Sequence, residues 1–122
     1  MTPLQNRRTE PRLKHRLPLR LKHALEEATT YSENISASGV YCTVKHFIPL
    51  MTKVQVRLQI PGKTKKTKPT PLACQGVVVR VEPPLARPGR STYNIAIFFN
   101  ELHERDRDHL AAYVQQHLPI SN

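Results

Sequence analysis

The sequence predicts a mainly β fold: a small six-stranded antiparallel β-barrel followed by one C-terminal α-helix. Three observations carry this expectation. Several short runs alternate apolar and polar residues with the period of two that a half-buried strand requires. Proline- and glycine-bearing stretches end these runs, as at Pro61-Gly62 and at Pro83, Pro84, Pro88 and Gly89. Only the last stretch of the chain changes to helical spacing. With 122 residues there is enough chain for one modest core and not for two.

Residues 1–16 are polar and basic, with Pro3 and Pro11 preventing a long helix, and are expected to form a flexible arm. The barrel and its helix are assigned to residues 17–122. Leu17-Pro18-Leu19-Arg20-Leu21 opens the first strand with its leucines on one face, and Pro18 suits a strand start or an edge. Glu26 to Tyr31 supplies a turn and a second strand. Val40 to Val44 is a β-rich third strand. Phe47, Ile48 and Leu50, around Pro49, form a connection packed on the core.

Lys53 to Ile60 is the clearest strand, with Val54, Val56, Leu58 and Ile60 inward and Lys53, Gln55, Arg57 and Gln59 toward water. Lys63 to Pro71 is a low-complexity basic hairpin tip. Ala73 to Val81 follows as a strand, with Val77, Val79 and Val81 assigned to one face and Val78 and Arg80 to the other. Thr92 to Phe99 is the last strand, with Tyr93, Ile95, Ile97 and Phe99 on one side. Asn100 is the expected N-cap of a helix running from Glu101 or Glu104 to Leu118. Leu110, Tyr113 or Val114, and Leu118 recur on one face of that helix and are expected to cover one opening of the barrel. Pro119 stops it.

The formal net charge is +10, so an anionic partner is the first expectation. No apolar run approaches the ~20 residues that span a bilayer, and no signal-peptide pattern opens the chain, so a cytoplasmic address is the expected one. Cys42 and Cys74 both fall in apolar runs and read as buried thiols rather than as a disulfide or metal pair. The six histidines show no metal-ligand spacing, and no metal or cofactor is expected. The nine acidic residues are dispersed, apart from a group at the helix start where they suit the dipole. No serine or cysteine sits in a nucleophile motif, so the chain is not read as an enzyme.

Two stretches do have specific chemistry. Arg7-Arg8-Thr9-Glu10-Pro11-Arg12 offers planar guanidinium forks that grip phosphate or read guanine O6 and N7 together. Arg-x-x-x-Arg occurs three times in overlapping register, at Arg8/Arg12, Arg12/Arg16 and Arg16/Arg20, so this motif by itself is not selective. Asn34-Ile35-Ser36-Ala37-Ser38-Gly39 is a polar turn whose side chains present donors and acceptors, with Gly39 free of a Cβ. Alone, it is an ordinary loop pattern.

In combination these features are specific. The basic arm lies just before a Leu-Pro-Leu strand, and the Asn34-x-Ser36-x-x-Gly39 loop follows the second strand. Gly76 to Arg80, Tyr93 to Phe99 and a terminal helix complete the series. This order and spacing strongly resembles the PilZ domain, the bacterial receptor module for cyclic di-GMP, from Arg7 to Leu118. The resemblance implies a six-stranded β-barrel and a ligand clamped between Arg8 and Arg12 of the arm and Asn34, Ser36 and Gly39 of the loop. Arg7, next to the pair, resembles family members that bind an intercalated dimer, which implies two cyclic di-GMP molecules per chain. It also implies a downstream protein partner, which the sequence does not identify. Asn replaces the commoner Asp at the first position of the loop, and the basic hairpin is unusually long.

Two alternatives stand beside this reading. A PilZ-like adaptor would work through protein contacts without nucleotide. A basic barrel binding nucleic acid calls for aromatics among lysines on an exposed sheet face. With 6% aromatic residues, and with Tyr93 and Phe99 assigned inward, nucleic acid is not the expected partner.

Overall fold

A computed structural model describes residues 11–118 of the chain. Its strands are β1 (Pro18–His23), β2 (Glu26–Ile35), β3 (Gly39–Val44), β4 (Lys53–Ile60), β5 (Thr70–Glu82) and β6 (Tyr93–Glu101). They close into a barrel in the order β1-β2-β3-β6-β5-β4, every neighbouring pair antiparallel. One helix, α1 (Glu104–His117), follows. Closure leaves none of the unpaired strand edges that an open sheet of this size would present.

Alternation decides which side chains fill the barrel. On β4, Val54, Val56, Leu58 and Ile60 are buried, and on β6 so are Tyr93, Ile95, Ile97 and Phe99. From α1, Leu110, Tyr113 and Val114 join the same core, with half-buried Leu118 packed against it. Phe99 and Leu110 are fully buried, so the helix closes the core rather than resting on the surface.

Four sequence expectations are corrected. The face assigned to Val77, Val79 and Val81 is not a single face: Val78 and Val81 are buried and Val79 is exposed. A bulge lies between Val78, opposite Ile97, and Arg80, opposite Ala96, and the extra residue Val79 switches the parity of the strand. The helix begins at Glu104, capped by His103, whose Nδ1 accepts from the Arg105 amide at 3.1 Å. Asn100 stays in β6, whose pairing extends to Glu101 opposite Gln75. β2 runs through Asn34 and Ile35, both of which the sequence assigns to the loop. Finally, Leu13, assigned to the flexible arm, is buried in the core.

Both thiols are free, as the sequence suggests. Burial pushes the Cys42 thiol up to about 12, and the Glu33 carboxylate adds to the effect. Burial, then the Asp106 carboxylate, pushes Cys74 up to about 11. The folded chain therefore keeps these protons at a pH where unfolded thiols lose theirs. Stability is complete below the ordinary thiol value and falls as pH rises past about 9. Between about pH 8 and pH 10, Cys42 should account for a loss of about 1 kcal/mol, read as the difference in urea-midpoint shift between wild type and Cys42→Ala. Equal shifts in the two proteins would contradict this.

Candidate functional site

The polar loop is prepared inside β2. Ser32 lies opposite Cys42 but Asn34 lies opposite Tyr41, so Glu33 is the extra residue of a bulge. The change of parity turns both Ser32 and Ile35 inward and leaves Asn34 half-buried at the end of the strand. Without the bulge, strict alternation would send Asn34 into the core and Ile35 out.

After Ile35 the chain turns tightly. The Ser36 amide donates to the Gly39 carbonyl at 2.9 Å, and the Ser36 hydroxyl accepts from the Ser38 amide at 3.2 Å. Ser36 is buried, so its hydroxyl serves first to hold the turn, a role that serine and threonine often take. The Ser38 carbonyl accepts from the Phe99 amide of β6 at 2.8 Å, and Arg107 Nη1 of α1 donates to the Ala37 carbonyl at 3.1 Å. Three elements thus hold the loop in place.

Gly39 has a role in the barrel itself. It opens β3, and a Cβ there would overlap the Ile97 carbonyl oxygen and approach the Ile97 carbonyl carbon to 3.4 Å and Phe98 Cα to 3.5 Å. These are backbone atoms of β6, so what glycine admits here is the neighbouring strand. Gly76, on the other side of β6, has a Cβ position 2.5 Å from Ile97 Cγ2. Glycines on both flanks let β6 sit close enough for the barrel to close.

The basic arm is fastened beside this loop. Leu13 and Ile35 form an antiparallel bridge, the Leu13 amide donating to the Ile35 carbonyl at 2.8 Å and the Ile35 amide to the Leu13 carbonyl at 2.9 Å. Ser32 adds to it: its hydroxyl accepts from the Leu17 amide at 2.8 Å and donates to the His15 carbonyl. His15 Nδ1 and the Tyr113 hydroxyl share a hydrogen bond of 2.8 Å, which ties the arm to α1 as well. Burial pushes the Tyr113 phenol up, so it stays protonated and able to donate.

One step along from the bridge, the antiparallel register sets Arg12 across from Ser36, and Arg12 is exposed. The structure therefore brings Arg12, Asn34, Ser36 and Gly39 to one end of the barrel. Arg7 and Arg8 lie outside the described residues. The other arginines of the overlapping motifs are engaged elsewhere: Arg16 lies 5.0 Å over the ring of Tyr31, and Arg20 pairs with Glu27.

Leu13, Ser32 and Arg107 contribute to this end of the barrel without having been singled out in the sequence. A signal for Leu13 was present, because the alternation of Leu17, Leu19 and Leu21 extends back through His15 to Leu13. Nothing local marks Ser32 or Arg107, whose partners are distant in the chain. Among the described residues, no group of three or more His, Cys, Asp or Glu side chains is placed to hold a metal ion. No helix among them is long and apolar enough to cross a membrane.

Comparison with known proteins agrees with this architecture. No curated protein matches the chain significantly. Among solved structures, the Bacillus subtilis inhibitor of motility (MotI/DgrA) is similar with a TM-score of 0.72 at 18% identity, over 88% of this chain. The chain spans 49% of that protein's length, and at this identity the likeness is one of fold. A family model for the PilZ domain matches residues 6–116, which takes in the arm, the barrel and nearly all of the helix. The chain belongs to the PilZ domain family.

Proposed function

We propose that this chain is a cyclic di-GMP receptor, a binding protein rather than an enzyme, which acts in the cytoplasm through a downstream protein. Arg8 and Arg12 close over the nucleotide from the arm, and Asn34 and Ser36 hold it from the loop. Gly39 serves the site by letting the loop and β6 meet.

The observation that carries this reading is the Leu13–Ile35 bridge, because it brings Arg12 of one motif to Ser36 of the other. A planar guanidinium there can take a phosphate or a guanine edge bidentately. Arg107, already donating to the loop's Ala37 carbonyl, adds a further positive charge at the same end. The engagement of Arg16 with Tyr31 and of Arg20 with Glu27 favours Arg8/Arg12 among the three registers.

The stoichiometry follows from Arg7. Two intercalated dinucleotides bring four phosphate charges together, and a third arginine beside the pair offsets part of that repulsion and stacks on a guanine of the second molecule. Calorimetric titration of the full chain with cyclic di-GMP is expected to saturate at two molecules per chain. Arg7→Leu is expected to reduce this to one. Absence of binding at any concentration would overturn the receptor reading, and a wild-type ratio of one would overturn the role given to Arg7.

A further inference from the structure

The barrel end opposite the polar loop carries the β1–β2 turn, the β3–β4 connection and the β5–β6 loop. Each exposes a large aliphatic side chain to water: Leu25 is 100% exposed, Leu50 and Met51 are 52% and 70%, and Leu85 is 73%. Residues of this kind normally fill cores, and the barrel has no use for them here. The backbone holds two of these tips in a constrained form, with φ of 50° at Ala24, next to Leu25, and 69° at Met51. A non-glycine residue takes such a conformation only where its surroundings impose it.

The three loops form one connected surface. His23 and Glu26, beside the first turn, line a groove shared with His46 and Ile48 of the β3–β4 connection. Phe47 of that connection packs edge-on against Tyr93, with ring centroids 5.4 Å apart. The Tyr93 hydroxyl in turn accepts from the Arg87 amide of the β5–β6 loop at 3.1 Å.

Charge at this end favours an anionic partner. Of its acidic residues, Glu27 pairs with Arg20 and Glu82 with Arg80 at 3.1 Å, while Glu26 lies 3.5 Å from the His23 ring. Lys22, Lys45, Lys53 and Arg87 enter none of the ion pairs found among the described residues.

We propose that this end of the barrel docks on an anionic lipid bilayer, inserting Leu25, Leu50, Met51 and Leu85 between headgroups while the surrounding lysines and arginine bind lipid phosphates. Separate, protruding aliphatic tips inside a cationic collar match the bilayer boundary, where apolar insertion and attraction to acidic headgroups act together. The surface faces away from the polar loop, so docking leaves the proposed nucleotide site open to water.

The test uses the full chain without nucleotide. It should sediment with vesicles of phosphatidylcholine and phosphatidylserine in a ratio of about 3:1, and far less with phosphatidylcholine alone. Leu25→Ser combined with Leu85→Ser should weaken binding about tenfold or more at a nearly unchanged thermal midpoint, because Leu25 is fully and Leu85 largely exposed. Lys65→Ala combined with Lys66→Ala, in the basic hairpin at the opposite end, should change it by about twofold or less. The chain has no tryptophan, so Leu25→Trp reports insertion on its own as a blue shift on vesicle addition.

The proposal is overturned if the chain ignores acidic vesicles or if the Leu25→Trp emission stays that of a water-exposed indole. It is also overturned if the hairpin variant loses binding while the tip variant keeps it. That last result would assign vesicle binding to the polybasic hairpin instead.

Discussion

Gly39→Ala is expected to lower the thermal midpoint by about 10 °C with no nucleotide present, a loss of about 2–3 kcal/mol or more. The added methyl meets the Ile97 carbonyl and the Phe98 backbone, and neither can rotate away as a side chain could. β3 and β6 must therefore separate at Gly39 and Phe98, where the barrel is closed on that side. Total stabilities run to about 5–15 kcal/mol, so this single methyl removes a large part. The same shift moves the Gly39 carbonyl that receives the Ser36 amide, and binding should weaken along with stability. A glycine kept only to make room for a ligand behaves differently: its alanine variant melts like wild type and loses affinity alone. Thermal unfolding without nucleotide therefore distinguishes the two roles, and an unchanged midpoint would refute the structural one.

The largest effect on binding is expected from the arm. Arg12→Ala and Arg8→Ala should each weaken cyclic di-GMP binding about ten- to a hundredfold, the loss of ~1.5–3 kcal/mol typical of a charge-assisted contact. Combined, they should cost at least about a hundredfold, without strict additivity because both grip one ligand. Arg16→Ala and Arg20→Ala serve as controls. They remove a contact with Tyr31 and an exposed pair with Glu27, and should change affinity by about twofold or less. Calorimetry on all four variants decides the register. Wild-type affinity in both Arg8→Ala and Arg12→Ala would sink the assignment, and a large loss in Arg16→Ala would move the site toward β1.

Much of the architecture was legible because strand periodicity is local. On β4, Val54, Val56, Leu58 and Ile60 alternate with polar residues, and the strand has the bounds the pattern suggests. The same holds for the inward face of β6 and for the apolar positions of α1. The family resemblance was legible for a related reason, since it depends on the order and spacing of short motifs. The polar loop and its neighbour Arg12 belong to the same category.

What local pattern could not reveal were the points where one strand answers to another. The bulges at Glu33 and Val79 arise from pairing across strands, and each switches which side chains face inward. Neither residue type announces this, so alternation alone puts Val77, Val79 and Val81 on one face and leaves Asn34 in the loop. The anchoring of the arm through Leu13, Ser32 and Tyr113 likewise depends on contacts between residues far apart in the chain.

The sequence by itself determined most of the strand and helix content, the excess positive charge and the family, because short-range periodicity, composition and the order of short motifs encode these. Only the tertiary structure decided what Gly39 is for, why Arg12 rather than Arg16 stands at the loop, and that three aliphatic loop tips share one end of the barrel. Those facts are set by barrel closure, which fixes neighbours in space that the chain keeps dozens of residues apart.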